Sequence, residues 1–292
     1  MYSFETFKEY VVANINTQLP EELRGVPEVC PVNKASGSYT GLCVKRKREE
    51  DNEFLPTLNL EGFFELYRAK GMEETMSEMA KVLTMPPPVA AKDLHRIMES
   101  WEEVRKHLIV RLTRLEELDN VKDGPYEIVG DIIKTYSIAV PDGDGGVFSA
   151  RLTDSILENF GVAEKEAKEA ALLQMEKNYP LCTFQLGEEM HVVTSNAPFG
   201  AAALFYPGAM RKIADELSGS YYAIPSSVYE WICVPEDKVH PEQLQRMVKE
   251  ANITVVEPCD VLSDSLYHYD AGADSFEIVP EIMAEGEVRK YA

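Results

Sequence analysis

The sequence predicts an α+β fold: mixed, mainly antiparallel sheet regions flanked by helices, with an α-rich N-terminal part. Three observations carry this. Between Asn196 and Asp237 the chain reads as helix, apolar strand, polar corner and second strand. Pro207 suits the first helical turn there, and Met210, Ile213 and Leu217 follow at helical spacing. Further upstream, Leu60, Phe63, Phe64 and Tyr67 recur on one helical face. From Lys106 the period drops to two, with Leu108, Val110 and Leu112 on one side and His107, Ile109 and Arg111 on the other.

Taken in order, Ser3 can cap a helix over residues 4–17 that places Phe4, Phe7, Val11 and Ile15 on one face. Residues 26–44 turn extended. Pro27 and Pro31 make the first run an irregular edge strand, because proline cannot donate to a ladder. A turn at 35–38 leads into a returning strand from Tyr39 to Val44. The block Lys45-Arg46-Lys47-Arg48 runs straight into Glu49, Glu50 and Asp51, so it reads as a solvated hairpin end. A helix from Leu58 to Tyr67 stops at Gly71, and another spans 73–83. Pro86 to Pro88 cannot continue it and form a stiff spacer. Asp93 is placed to cap a helix through Trp101 and Val104.

Residues 126–140 read as a strand or bent strand pair, and 141–146 as a turn. Helices are expected over 153–160 and 163–177, then a hairpin from Leu181 to Leu186 and Met190 to Thr194. Gly219 is placed to end the 207–217 helix in a left-handed cap. His240-Pro241 opens a helix ending at Asn252, Ile253 to Val256 is a strand candidate, and the tail from Ala284 frays. The proline spacer near residue 86 predicts two regions: residues 1–104, α-rich with a β-hairpin, and 105–292, an α+β domain.

With 45% hydrophobic residues, the 292-residue chain can bury a substantial core. Acidic residues outnumber basic ones 50 to 29, a formal charge of −21. So much negative charge opposes phosphate backbones and anionic lipid, which argues against direct nucleic-acid binding. No apolar run approaches the ~18 residues of a membrane span. The five cysteines form no C-x-x-C pair, and Glu5 and Glu9 stand where a signal peptide needs a basic start. A cytoplasmic protein with no membrane role is the expectation.

Chemistry is sparse in the sequence. No two of the five histidines stand at i, i+4, so a helical zinc pair is absent and no metal or cofactor is expected. The D-x-D-G string at Asp142 puts Thr153 at the twelfth position of a calcium loop, where a carboxylate is required. There is no G-x-S-x-G elbow and no glycine-rich phosphate cradle. The one concentration of functional groups is the corner Ser226, Ser227, Tyr229 and Glu230, with Asn196, Gly200 and His191 as possible neighbours. Ser227-x-x-Glu230 has capping-box spacing, in which each side chain satisfies the other's backbone donor. A serine nucleophile needs an adjacent base, and none is visible locally.

Four segments together resemble the bacterial domain-of-unknown-function family 5688. They are Pro56-Thr57-Leu58-Asn59-Leu60, Asn196 to Ala202, Ala223 to Pro235 and Val261 to Asp270. Family members commonly carry histidine where this chain has Tyr229; if that histidine is a catalytic base in relatives, it is missing here. The resemblance implies a bacterial cytoplasmic protein and supplies no activity, substrate or cofactor. Two functions remain in view: a non-catalytic binding or regulatory module for a protein or peptide partner, and a hydrolase or transferase using the serine corner. A third, an acidic mimic of nucleic acid, needs an elongated face of carboxylates.

Overall fold

The structure, a computed structural model, describes residues 1–34, 37–45, 55–86, 89–141, 147–187 and 189–281. The turn at 35–36, the cluster at 46–51, Pro87-Pro88, the D-x-D-G string at 142–146 and the tail from 284 lie outside them. The chain divides into two compact units, Met1–Arg96 and Ile97–Ala292.

The first unit opens with α1 (Phe4–Asn14), where Ser3 accepts from the Thr6 N–H as the expected cap. β1 (Val26–Lys34) and β2 (Gly37–Lys45) pair antiparallel, and β3 (Leu58–Asn59) adds two residues beside β2. β1 is an edge strand, which is where its prolines are tolerated. The second helix starts two residues later than expected. Leu58 pairs with Leu42, and Asn59 then caps α2 (Leu60–Lys70) through the Gly62 N–H. Gly71 (φ 86°) separates α2 from α3 (Met72–Thr84). Phe7, Val11, Ile15, Leu42, Leu60 and Met79 form the centre of this unit's core. The final helix, α4 (Val89–Ile97), reaches the boundary between units. Asp93 lies inside α4 and pairs with Arg96 (3.4 Å), so it caps nothing. The cap for α5 (Trp101–Val104) is Ser100, whose hydroxyl accepts from the Glu103 N–H.

The second unit holds two antiparallel sheets. β4 (Leu108–Arg114), α6 (Leu118–Val121), β5 (Tyr126–Val129), β6 (Ile132–Pro141) and β7 (Val147–Arg151) come first. The apolar β6 is central, with β4 on one side and β5 and then β7 along the other. β7 had no signal of its own, because the alternation that marks it spans only five residues. α7 (Asp154–Phe160), capped by Thr153, and α8 (Glu164–Asn178) follow, and α8 packs on β4 through Ala167, Ala171 and Met175.

The second sheet uses β8 (Leu181–Leu186), β9 (Met190–Ser195), β10 (Tyr221–Ser227), β11 (Glu230–Pro235), β12 (Tyr267–Asp270) and β13 (Ser275–Ile278), in the order β13-β12-β10-β11-β9-β8. Between β9 and β10 lie a 3-10 turn, Gly200–Phe205, and α9 (Ala209–Leu217). Ser218 (φ 65°), rather than Gly219, takes the left-handed position. The Gly219 N–H reaches back to the Ala214 carbonyl (2.9 Å), the six-to-one bond of a Schellman cap, which puts the preceding residue in the αL region. α10 (Pro241–Thr254) absorbs Ile253 and Thr254, and the expected strand at 253–256 does not form. Asn252 does not stop the helix because its amide is engaged elsewhere, donating to the Ser263 carbonyl and the Asp264 carboxylate.

Candidate functional site

The apolar runs of β10 and β11 pair from Tyr221↔Pro235 to Pro225↔Trp231, shift register, and close at Ser227↔Glu230. Pro225 sits at that shift. β12 pairs only with Tyr221 to Ala223, so no ladder asks Pro225 for an N–H. The corner is therefore the tip of a hairpin and not the first turn of a helix. The two flanking strands bond to each other, and the residues between them must reverse the chain.

This corrects the capping-box expectation. Ser227 Oγ accepts from the Tyr229 N–H at 3.1 Å, a local serine turn. The Glu230 carboxylate accepts instead from Ser226 Oγ at 3.3 Å. Neighbouring segments hold the tip. Val228 donates its N–H to the Asp260 carbonyl (3.0 Å) and accepts from the Ala201 N–H (3.3 Å). Thr194 Oγ1 donates to the Tyr229 carbonyl at 2.7 Å, and the Tyr229 hydroxyl donates to the Asp260 carboxylate at 3.1 Å.

Gly200 belongs to the same arrangement for a steric reason. A Cβ there would lie 2.5 Å from the Tyr229 carbonyl oxygen and 2.8 Å from that of Ser195, and would press on Thr194 Oγ1. Backbone atoms cannot step aside cheaply, so Gly200→Ala is expected to cost about 1–3 kcal/mol as an overpacking defect. A urea midpoint equal to that of the parent chain would show that the contact yields. Asn196 is exposed just after β9 and has no side-chain hydrogen bond among the described residues. His191 pairs with Gln185 and Cys233, three residues along β9 from Thr194, roughly 10 Å at strand rise. It does not join the corner. His268 stands beside Tyr222 and Glu236, toward the opposite end of the hairpin.

The tip has a neighbour that the corner motif did not reveal. The Arg111 guanidinium on β4 lies over the Phe199 ring at 4.2 Å. Its Nε is enclosed and has no hydrogen-bond partner among the described residues. Burial pulls its pKa down, opposed by Tyr229 and Asp260. The signal was a cation inside the apolar strand Leu108–Arg114. Asp260 sits in an irregular segment with no pattern to mark it.

A second feature is the outer edge of β8, which no strand covers among the described residues. Phe184 (51% exposed) and Leu186 (43%) project from it on the same face. The opposite edge differs. At β13, Ile278 is packed so closely on the backbone of Gly130 that a Cβ there would lie 2.7 Å from it. Among the described residues no group of three or more His, Cys, Asp or Glu could hold a metal ion, and no helix is long and apolar enough to cross a membrane.

Neither a curated protein nor a solved structure matches the chain. A family of unknown function (DUF5688) does, over residues 4–193 and 182–271, which include all four motif segments and the hairpin tip. The chain thus belongs to DUF5688.

Proposed function

We propose that the protein is a non-catalytic binding module that takes up an extended, basic peptide segment of a partner protein along β8. The observation that carries this reading is the open edge itself. Leu181–Leu186 contains no proline and no charge, the usual devices that keep an edge from pairing, and it presents two large apolar side chains. Strand addition supplies affinity through main-chain hydrogen bonds and specificity through alternate side chains. The formal charge of −21 favours a basic segment and opposes a second copy of this chain.

The hairpin corner supports the module reading by being occupied with itself. Ser226 is bonded to Glu230, Ser227 to the Tyr229 backbone, and Tyr229 to Asp260. A hydrolase or transferase working from that corner would have Glu230, 3.3 Å from Ser226 Oγ, as its base without an imidazole, since His191 is held away by its strand position.

The test is an amide chemical-shift titration with a short peptide of alternating valine and lysine. Perturbations are expected to concentrate on Leu181–Leu186, and Phe184→Lys to weaken binding by about 1–2 kcal/mol. Shifts confined to the hairpin tip, or none, would refute the edge as the recognition surface. A dimer in gel filtration that Phe184→Lys dissolves would identify a second copy as the occupant instead.

A further inference from the structure

We propose that Arg111, with Phe199 beneath it and the Tyr229–Asp260 pair beside it, is a docking point for a single carboxylate group carried by a ligand from outside the chain. A buried cation normally has a carboxylate against it or hydrogen bonds to all its donors. Arg111 has a ring face at 4.2 Å and an enclosed Nε without an acceptor among the described residues. No carboxylate among them comes within ion-pairing distance. Asp260 is close enough to act on its charge, yet its carboxylate accepts from the Tyr229 hydroxyl at 3.1 Å.

The geometry also selects the ligand class. Phe199 lies against the guanidinium, its ring centroid 4.2 Å from Cζ, which closes that side to a ligand. The residue as a whole stays partly open to solvent although Nε is closed off, so an anion reaches the Nη end. Two parallel N–H donors in one plane match the two oxygens of a carboxylate. A phosphate dianion would place two negative charges beside Asp260 in a chain already strongly acidic, whereas a monoanion only balances the arginine.

This site is independent of the β8 edge, and its test reads different atoms. The probe is sodium acetate, with sodium phosphate and sodium chloride at matched ionic strength, followed on the Arg111 Nε–H resonance and the Phe199 and Tyr229 amides of the full chain. Acetate is expected to shift them saturably, phosphate less, and chloride not at all. Arg111→Lys keeps the charge and loses the planar fork, so it is expected to bind acetate about tenfold more weakly, the worth of one charge-assisted hydrogen bond. Arg111→Met is expected to abolish the response at the two amides while melting at the same or a higher temperature, since an uncompensated buried charge is removed. An acetate response no larger than that of chloride would overturn the proposal, as would an equal amide response in Arg111→Met. If Arg111→Met fails to fold, the titration of the parent chain and of Arg111→Lys still decides.

Discussion

Replacing Trp231 by alanine is expected to lower the stability of the chain by about 4 kcal/mol, the middle of the range for buried aromatic truncations. Trp231 is fully buried in β11 and meets the rings of Tyr267 (5.4 Å), Phe276 (5.8 Å) and Phe205 (6.1 Å). Its indole N–H donates to the Ala201 carbonyl at 2.9 Å. Truncation therefore opens a cavity ringed by aromatics that cannot collapse independently, and it removes the indole's hydrogen bond to a buried carbonyl. Trp231→Phe keeps most of the volume and loses the hydrogen bond, so about 1–2 kcal/mol is expected there. Urea unfolding measures both. The damage should also reach the hairpin tip, because Ala201 belongs to the turn beginning at Gly200, the residue after Phe199. A loss below about 1 kcal/mol for the alanine variant would mean that the aromatic cluster does not anchor the sheet.

Much of this fold was legible locally. The helical faces of α1, α3 and α8 and the β8–β9 hairpin follow from spacing, since one buried face imposes a period on the sequence. The failures share a cause. Ile253 and Val255 are β-branched and mark a strand by composition, yet Ile253 lies within α10, and both are exposed; among the described residues no strand pairs with them. Ser227-x-x-Glu230 has the spacing of a helix start, yet the pairing of β10 with β11 leaves room only for a reversal. The sequence marks the corner's position, and its capping-box spacing is not realised there. Arg111 could have been flagged as a charge in a buried strand. Its meeting with Phe199 is a contact across 88 residues that no local pattern encodes.

The segment Val261 to Asp270 is the clearest case of a motif whose purpose lies elsewhere in the chain, and it sets the second large expectation. Asp131, in the turn between β5 and β6, accepts from Ser263 Oγ (2.8 Å to each oxygen), Ser265 Oγ (2.7 Å) and the Tyr267 hydroxyl (2.5 Å). The polar residues of the motif thus converge on one carboxylate, joining the four-stranded sheet to the start of β12 in the six-stranded one. Tyr267 also receives the Asp131 N–H at 3.2 Å, and its phenol is pushed well up, first by burial and then by the hydrogen bond to Asp131. Asp131→Ala removes the acceptor of the Ser263 and Ser265 hydroxyls and leaves the buried Tyr267 hydroxyl only the Val129 carbonyl at 3.2 Å, and is expected to cost about 3 kcal/mol. Asp131→Asn keeps the shape but turns an amide donor toward hydroxyl donors, so it should fall between Asp131→Ala and the parent chain. Ser263→Ala removes one donor from a carboxylate that keeps two others, and about 1 kcal/mol is expected. A double-mutant cycle of Asp131→Ala with Tyr267→Phe isolates the pair and should return a coupling of roughly 1–3 kcal/mol, because the half-buried carboxylate meets a fully buried phenol. Strict additivity in that cycle would show that the two sheets are held by apolar packing alone and that the convergence on Asp131 is incidental to it.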